Sequence, residues 1–325
     1  MVRSPDCARS HRRPSSLTKR PDAQRAHCQI AVTTVFGIPV AVILGQLMLG
    51  LVNGSFYALL SLGLAVIFGL MRVVNFAHGA FYTLGAFAAL LGLQYLGINY
   101  WASLLLAPLA VGLVGIVVER LLLRRVYGLD ALYGLLLTFG LALVCEGSLT
   151  KVFGATGQSY PVPPALAGAV NLGFMFLPLY RAWVIAVSLV VCFGTWFVIE
   201  RTRLGATLRA ATENAPLVQA FGVNVPLLVA ATYGGGVALA ALAGVLASPI
   251  VLVNSHMGSS LVIVVFAVVV IGGMGSILGS IVSGLVLGVV EGFTKVIYPE
   301  ASNVVVFLIM ALVLVLRPTG LFGKE

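Results

Sequence analysis

Long apolar runs alternate with short polar breaks along most of the chain. Each run has close to the roughly 20 residues that a helix needs to cross the hydrocarbon core of a bilayer. The pattern predicts helical spans over 77–96, 101–118, 131–149, 182–199, 226–247, 259–273, 277–294 and 303–316. The apolar run 30–70 adds either two spans or one span with an interfacial helix. We therefore predict an all-α fold, a polytopic transmembrane bundle of about nine helices, with about eight and about ten as the bounds.

The run 30–70 contains a polar and glycine-rich interruption near its middle. If two spans occupy the run, the boundary between them falls at these residues: Gln46, Gly50, Asn53, Gly54 and Ser55. If one span occupies it, the same residues lie within a helix. The sequence leaves both alternatives open.

The composition excludes an ordinary soluble domain. The chain is 60% hydrophobic and 9% charged, whereas about 25% of the residues of a typical soluble domain are charged. Its 37 glycines suit helices that pack closely in lipid. The four cysteines have neither metal-ligand nor redox spacing, so we expect free thiols, no metal site and no cofactor.

Much of the positive charge lies in the first 29 residues. This segment holds seven Lys or Arg and two Asp, which is +5 of the formal net charge of +9. It has no apolar period, so we predict a basic, disordered tail. It also has no aromatic side chain to stack on a base, so nucleic-acid binding is not expected. The segment is either a native extension or the product of an upstream start codon, with translation beginning near Met48.

The distribution of basic residues predicts which loops face the cytoplasm. If the interval 200–224 is cytoplasmic, nine Lys or Arg of the body lie on that side: Arg72, Arg120, Arg124, Arg125, Arg201, Arg203, Arg209, Arg317 and Lys324. Three lie on the other side: Lys151, Arg181 and Lys295. The C-terminus is then cytoplasmic. The side of the N-terminus stays open, because a single span in 30–70 would leave the basic tail outside.

The longest polar interval within the body of the chain is Glu200–Asn224. Leu204, Leu208 and Ala211 recur in it at helical spacing, with charged residues on the other faces. Pro216 then forces a bend, and a second short piece ends at a glycine. The interval is either a solvated hairpin or a docking element for a soluble partner.

The sequence of this interval, ERTRLGATLRA followed by ENA and AFGVN, resembles the cytoplasmic coupling loop of ABC-importer permeases. The resemblance is greatest to the branched-chain amino acid (LIV-type) permeases. Two further stretches agree with that family, GLMRVVNFAHGAFYTLG within 53–85 and IGGMGSILGSIVSGLVLG at 271–288. The likeness extends over about residues 46–323 and does not include the basic tail.

The resemblance implies that 30–325 is a transmembrane permease domain of the cell inner membrane. Such a subunit forms the pathway for leucine, isoleucine and valine, or for a related small polar solute such as urea or a short amide. The implied partners are the lipid bilayer, a second permease subunit, two cytoplasmic ATP-binding subunits and an extracytoplasmic solute-binding protein. The implied ATPase-coupling residues are Arg203, Leu204, Gly205, Leu208, Arg209, Glu213, Asn214 and Gly222.

A second set of residues is a candidate for the translocation pathway or for helix packing. It consists of Asn53, Ser55, Asn75, His78, Gly79, Gly272, Gly273, Gly275 and Gly279. The pairs Gly50/Gly54, Gly275/Gly279 and Gly284/Gly288 have the G-x-x-x-G spacing that places two small residues on one helix face. They predict close helix packing, or alternatively a hinged helix beside the pathway.

Two alternative functions are disfavoured by the sequence. The chain has no G-x-x-x-x-G-K-[ST] motif, so we expect no enzymatic activity and ATP hydrolysis on separate subunits. An ion-coupled secondary transporter usually needs charged groups deep in the membrane. Glu146 and Glu291 are the only acidic residues within the predicted spans. Both stand near the ends of those spans, with no basic partner in the same run.

Overall fold

The computed structural model describes residues 34–35, 38–71, 75–173, 175–302 and 304–323. The chain divides into two units, 1–40 and 41–325. The described part of the first unit is an antiparallel hairpin of strands β1 (Thr34–Val35) and β2 (Ile38–Pro39). The predicted tail 1–29 lies outside the described residues.

The second unit is mainly helical, as predicted. Its helices are α1 (Val40–Met71), α2 (His78–Leu96), α3 (Tyr100–Leu121), α4 (Ala131–Phe153), α5 (Leu179–Arg201), α6 (Arg203–Glu213), α7 (Ala215–Ala220), α8 (Val225–Ala247), α9 (Met257–Gly272), α10 (Ile277–Ile297) and α11 (Val305–Leu316). Short 3-10 turns cover Leu123–Arg125, Pro164–Leu166 and Pro299–Ala301. A second hairpin pairs strands β3 (Ala169–Asn171) and β4 (Phe176–Pro178).

Seven of the described helices are long and apolar enough to cross a membrane, namely α1, α2, α3, α4, α5, α8 and α10. Helices α9 and α11 are apolar but contain only 16 and 12 residues. The number of about nine spans is therefore not confirmed. The number and hydropathy of these helices nevertheless indicate a multi-pass membrane protein.

Helix α1 is continuous for 32 residues and passes through the interruption at 46–55. The alternative that these residues separate two spans is wrong for the described part of the run 30–70. Ser55 is buried, and its Oγ donates a hydrogen bond to the Leu51 carbonyl at 2.8 Å, so its polar group is satisfied inside the helix. The glycines pack against α10, where a side chain on Gly50 would come within 2.7 Å of the Gly288 carbonyl. The interruption is thus a packing surface.

Polar side chains fix where several helices begin. Asn99, Asp130, Asn214, Asn224 and Ser276 each accept a hydrogen bond from a backbone N–H in the first turn of the following helix, at 2.9–3.1 Å. These residue types are favoured at the start of a helix because they satisfy donors that have no partner within it.

The bundle has two distinguishable ends. At one end, which we call the loop end, Leu208 of the 200–224 loop shares a small cavity with Val66 and Gly69 of α1 and with Gly275. At the opposite end, which we call the far end, Tyr180 donates a hydrogen bond to the Leu246 carbonyl at 2.9 Å. The two-stranded hairpin of β3 and β4 leads directly into α5 at that end.

The helices differ in how far they are enclosed. Helix α1 is mostly buried among its neighbours, whereas few residues of α4 and α5 are buried. The exposed surface of α4 is apolar, including Leu136, Phe139 and Val144. Such a surface suits contact with lipid or with another membrane helix.

Candidate functional site

The 200–224 loop is an ordered helical hairpin at the loop end. Helix α6 follows α5 after a single residue and folds back beneath its end. Arg209 Nη1 donates hydrogen bonds to the Ile199 carbonyl at 3.0 Å and to Glu200 Oε2 at 3.4 Å. A side chain at Gly205 would overlap the Ile199 carbonyl. Only glycine at this position allows α6 to lie so close to α5.

Helix α7 is held in place by its own cap and by a small apolar cluster. Asn214 Oδ1 accepts a hydrogen bond from the Leu217 N–H at 3.0 Å. Ala211, Val218 and Val225 form the buried cluster that joins α6, α7 and the start of α8. Gly222 has φ of +85°, which lets the chain turn sharply into α8. The bend predicted at Pro216 and the stop at Gly222 are both present.

The outer surface of the hairpin carries three apolar side chains. Leu204 is 61% exposed, Leu217 is 54% exposed and Phe221 is 80% exposed. Leu208, which the sequence grouped with Leu204, is only partly exposed and lines cavities on the side of the bundle, and Ala211 is buried. Leu217 and Phe221 were not among the candidate residues, because single apolar residues on a surface are common and do not by themselves indicate an interface.

The candidate pathway residues near the start of α2 make structural hydrogen bonds. Asn75 Nδ2 donates to the Tyr233 hydroxyl at 3.1 Å, and Asn75 Oδ1 accepts from the Ala77 N–H at 3.1 Å. The ring of His78 lies with Nε2 3.0 Å from the Leu60 carbonyl. A carbonyl oxygen only accepts, so Nε2 carries the proton. Both residues are buried and join the start of α2 to α1 and α8.

Small residues bring the helix backbones of the core into contact. A side chain on Gly79 would come within 2.5 Å of the Gly258 carbonyl, so α2 and α9 cross at this point. A side chain on Gly284 would come within 2.5 Å of the backbone nitrogen of Ala58. The packing predicted from Gly50/Gly54 and Gly284/Gly288 is therefore confirmed. Asn53, which lies on α1, is partly buried.

The glycines at 272–275 do not form the predicted helix face. Gly273 and Gly275 have φ of +99° and +89° and lie in the turn between α9 and α10, which begins only at Ile277. The interpretation of Gly275/Gly279 as a helical G-x-x-x-G pair is wrong, because two positive-φ residues end the helix before that pair can form. Gly272 and Gly279 instead face each other across the turn.

The C-terminal segment braces this turn at the loop end. The N–H groups of Leu321 and Phe322 donate hydrogen bonds to the carbonyls of Ile271 and Gly272 at 2.9 and 3.1 Å. A side chain on Gly273 would come within 2.5 Å of the Gly323 nitrogen. The last described residues therefore lie at the same end of the bundle as α6 and α7.

Glu146 and Glu291, the two acidic residues that the sequence places near span ends, both have partners in the structure. Glu291 accepts a hydrogen bond from the Tyr57 hydroxyl at 2.7 Å and pairs with Lys295 at 2.5 Å. Glu146 Oε1 lies 2.7 Å from His256 Nδ1. The expectation that these carboxylates have no basic partner in the same run is wrong for Glu291, because Lys295 stands one helical turn later on the same face.

A third carboxylate was not identified from the sequence. Glu119 is buried at the end of α3 and accepts a hydrogen bond from the Tyr127 hydroxyl at 2.8 Å. Burial raises the pKa of the Tyr127 phenol, and the hydrogen bond and charge of Glu119 raise it further. The predicted span 101–118 ended one residue before Glu119, whereas α3 continues to Leu121.

A cavity of about 220 Å³ lies between α2, α4 and α9. Much of its lining is apolar: Phe76, Phe139, Leu143, Leu149, Val262 and Ile263. Glu146, Ser255 and Ser259 also line it. The cavity includes Gly79 of the candidate pathway set, whereas Asn53, Asn75 and His78 lie elsewhere.

Metal-binding clusters are absent from the described residues, among which no three His, Cys, Asp or Glu side chains lie together. Cys145 and Cys192 are free thiols, as predicted. Cys7 and Cys28 lie outside the described residues.

Comparison with known proteins gives a consistent result. The family model "Branched-chain amino acid transport system / permease component" matches residues 46–314. The high-affinity branched-chain amino acid transport system permease protein BraD of Pseudomonas aeruginosa is 31% identical over 296 residues, covering 86% of this chain and 96% of the relative. The permease protein LivH of Escherichia coli is 28% identical over 300 residues, with 86% and 96% covered. The permease protein LivM of Salmonella typhimurium is 28% identical over 293 residues, with 82% and 67% covered. The chain therefore belongs to the family of permease components of branched-chain amino acid transport systems.

Proposed function

We propose that this chain is the permease subunit of an ABC importer that moves leucine, isoleucine and valine across the cell inner membrane. The observation that carries the proposal is the family match over 46–314, supported by relatives whose names specify high-affinity branched-chain amino acid transport. Urea and short amides are the alternative substrates. Competition against labelled leucine uptake by isoleucine, valine, urea and acetamide tests this choice.

The proposed orientation places the 200–224 loop and the C-terminus in the cytoplasm. The excess of basic residues at the loop end supports it, with Arg124, Arg203 and Arg317 among them. In this arrangement the chain crosses the membrane nine times, with α9 and α11 as short crossings. A helix of 16 residues is about 24 Å long. The crossing by α9 therefore relies on the turns at its two ends to complete the roughly 30 Å of the hydrocarbon core.

Each proposed partner has a different surface. Two cytoplasmic ATP-binding subunits are expected, one on each permease, docked on the hairpin of α6 and α7. The solute-binding protein is expected at the far end, where the β3–β4 hairpin and the preceding proline-rich segment lie. The second permease subunit is expected against an exposed apolar helix face.

Transport should depend on ATP and on the solute-binding protein, and a proton or sodium gradient alone should drive no leucine uptake. The reason is that Glu146 and Glu291 both stand near the ends of their predicted spans, and Glu291 is already paired with Tyr57 and Lys295. An ion-coupled carrier needs a carboxylate that can take up and release its cation during the cycle. Uptake of labelled leucine into proteoliposomes that contain the partner subunits measures both conditions.

The matched control for this experiment is Glu291→Gln. It should lower stability by removing an ion pair and should leave the requirement for ATP unchanged. Leucine uptake on a gradient alone, lost in Glu291→Gln, would contradict the proposal and favour an ion-coupled secondary transporter.

A further inference from the structure

We propose that the cavity between α2, α4 and α9 is a transit site that binds a neutral amino acid with a branched apolar side chain. The inference rests on the transport function proposed above and adds the residues that recognise the substrate. It is carried by three properties of the cavity: its size, its apolar lining and the hydrogen-bonded pair of Glu146, which lines it, and His256 beside it.

The size suits a single amino acid. The cavity volume is about 220 Å³. It lies below the roughly 300–1,000 Å³ of sites for drug-sized ligands. This volume suits a ligand of about the size of one amino acid.

The interior suits a branched aliphatic side chain. Phe139 and Leu143 of α4 line the cavity together with Val262 and Ile263 of α9 and with Phe76. Phe76 also contacts the rings of Phe139 and Phe266, with centroids 6.3 Å apart in each case. These side chains offer apolar contact and no hydrogen bond, which favours leucine, isoleucine and valine over polar amino acids.

The polar edge of the cavity combines the Glu146 carboxylate with the neighbouring His256 ring, which is a hydrogen-bond donor. His256 Nδ1 donates a hydrogen bond to Glu146 Oε1 at 2.7 Å, since an ionised carboxylate can only accept. Helix α9 begins at Met257, so the partial positive charge of its N-terminus lies next to His256. A zwitterion presents the complementary groups. Its ammonium matches Glu146, and its carboxylate matches His256 and the α9 N-terminus.

The Glu146–His256 pair can open without releasing α9 from α4. The side chain of His256 is 56% exposed, and a contact between such exposed side chains contributes little to stability. Two separate contacts hold the same region. Thr150 Oγ1 lies 2.8 Å from Ser255 Oγ, and the backbones of Gln158 and Val253 exchange two hydrogen bonds at 2.8 Å. The substrate can therefore replace the pair with its own two charges while the helices stay in place.

The test is binding of labelled leucine to the permease complex with its ATP-binding subunits, embedded in nanodiscs and without the solute-binding protein. Equilibrium dialysis at rising leucine concentration should show saturable binding. Glu146→Gln should weaken leucine binding about tenfold, because it removes a charge-assisted hydrogen bond. It should leave the weak competition by 4-methylpentanoate, which lacks the ammonium group, unchanged. His256→Gln should also weaken leucine binding. It should leave unchanged the competition by 3-methylbutylamine, which lacks the carboxylate group.

A third variant tests the apolar part of the cavity. Ala142 lines it, so Ala142→Phe should fill it and reduce binding of leucine at least tenfold while affecting alanine less. The controls are Val144→Phe, which adds similar bulk on an exposed part of α4, and Lys151→Gln, which removes a charge from the same helix. Both should bind leucine as the unmodified complex does. Every variant must keep the elution profile of the unmodified complex.

Three results would overturn the inference: no saturable leucine binding by the unmodified complex, equal binding by all three cavity variants and the controls, or a loss in Glu146→Gln that is the same for leucine and 4-methylpentanoate. The last result would make the pair a structural tether. Leucine uptake by the unmodified, fully assembled transporter separates this failure from failure of the proposed function. Uptake without saturable binding at the cavity refutes only the transit site, whereas absent uptake with all partners refutes the transport proposal.

Discussion

Replacing Gly288 with leucine should prevent formation of the folded permease. A side chain at this position would overlap the backbone of Gly54, and no flexible side chain is available to move aside. The backbones of α1 and α10 would have to separate, which also breaks the contacts at Gly50 and Gly284. Overpacking of a core costs about 1–3 kcal/mol and sometimes more. We expect at least about 3 kcal/mol here, a large part of the roughly 5–15 kcal/mol that holds a typical protein folded.

The measurement is the yield of monodisperse protein in detergent and the temperature at which half of it is lost from the monodisperse peak. Gly288→Leu should reduce the yield at least about tenfold, because a destabilised fold is removed in the cell. The control is Gly147→Leu on the exposed helix α4, where nothing lies within 4 Å of the added Cβ position. Gly147→Leu should behave like the unmodified protein. A normal yield for Gly288→Leu, or equal losses for both variants, would contradict the packing of α1 against α10.

The helical fold and most span positions could be predicted because a membrane helix needs a long apolar run, and run length is visible in one sequence. The run 30–70 was ambiguous because glycine, serine and asparagine serve two purposes. They interrupt helices at boundaries, and they also allow close packing within them. Gly50 and Gly54 serve the second purpose, which depends on α10, more than 220 residues later along the chain.

The 200–224 loop was recognised as two short helices, but its outward face was not. Helix α6 carries apolar residues on more than one face, since Leu208 packs towards the bundle while Leu204 points outwards. Spacing alone groups these two residues. The contact of Gly205 with Ile199 is what sets the rotation of α6, and a contact of this kind cannot be identified from helical periodicity.

The partners of the two acidic residues also differ in how far away they lie along the chain. Lys295 and Glu291 are four residues apart, so their pairing was predictable from the sequence. His256 and Glu146 are 110 residues apart, and their contact depends on how α4 and α9 pack. The cavity that they border was therefore not predictable, although its lining residues on α4 and α9, such as Phe139, Leu143 and Val262, were placed on the correct spans.

Replacing Phe221 with aspartate should abolish coupling of this permease to its ATP-binding subunits. Phe221 is 80% exposed at the loop end, on a hairpin whose position is fixed by Asn214 and by the buried cluster of Ala211, Val218 and Val225. An exposed aromatic residue on a rigid support is the usual anchor of a protein interface, and loss of such an anchor costs about 2 kcal/mol or more. We expect affinity for the ATP-binding subunits to fall at least about 30-fold, with loss of ATP-driven leucine uptake.

The control is Phe176→Asp in the β3–β4 hairpin at the far end. Phe176 is 71% exposed, so the two substitutions remove similar side chains from similar surroundings at opposite ends of the bundle. Phe176→Asp should bind the ATP-binding subunits with unchanged affinity, measured on nanodisc-embedded permease by biolayer interferometry. Both variants should elute as monodisperse protein, because neither side chain is buried. Unchanged affinity in Phe221→Asp, or an equal loss in Phe176→Asp, would show that α7 is not the docking surface and would leave Leu204 as the next position to replace.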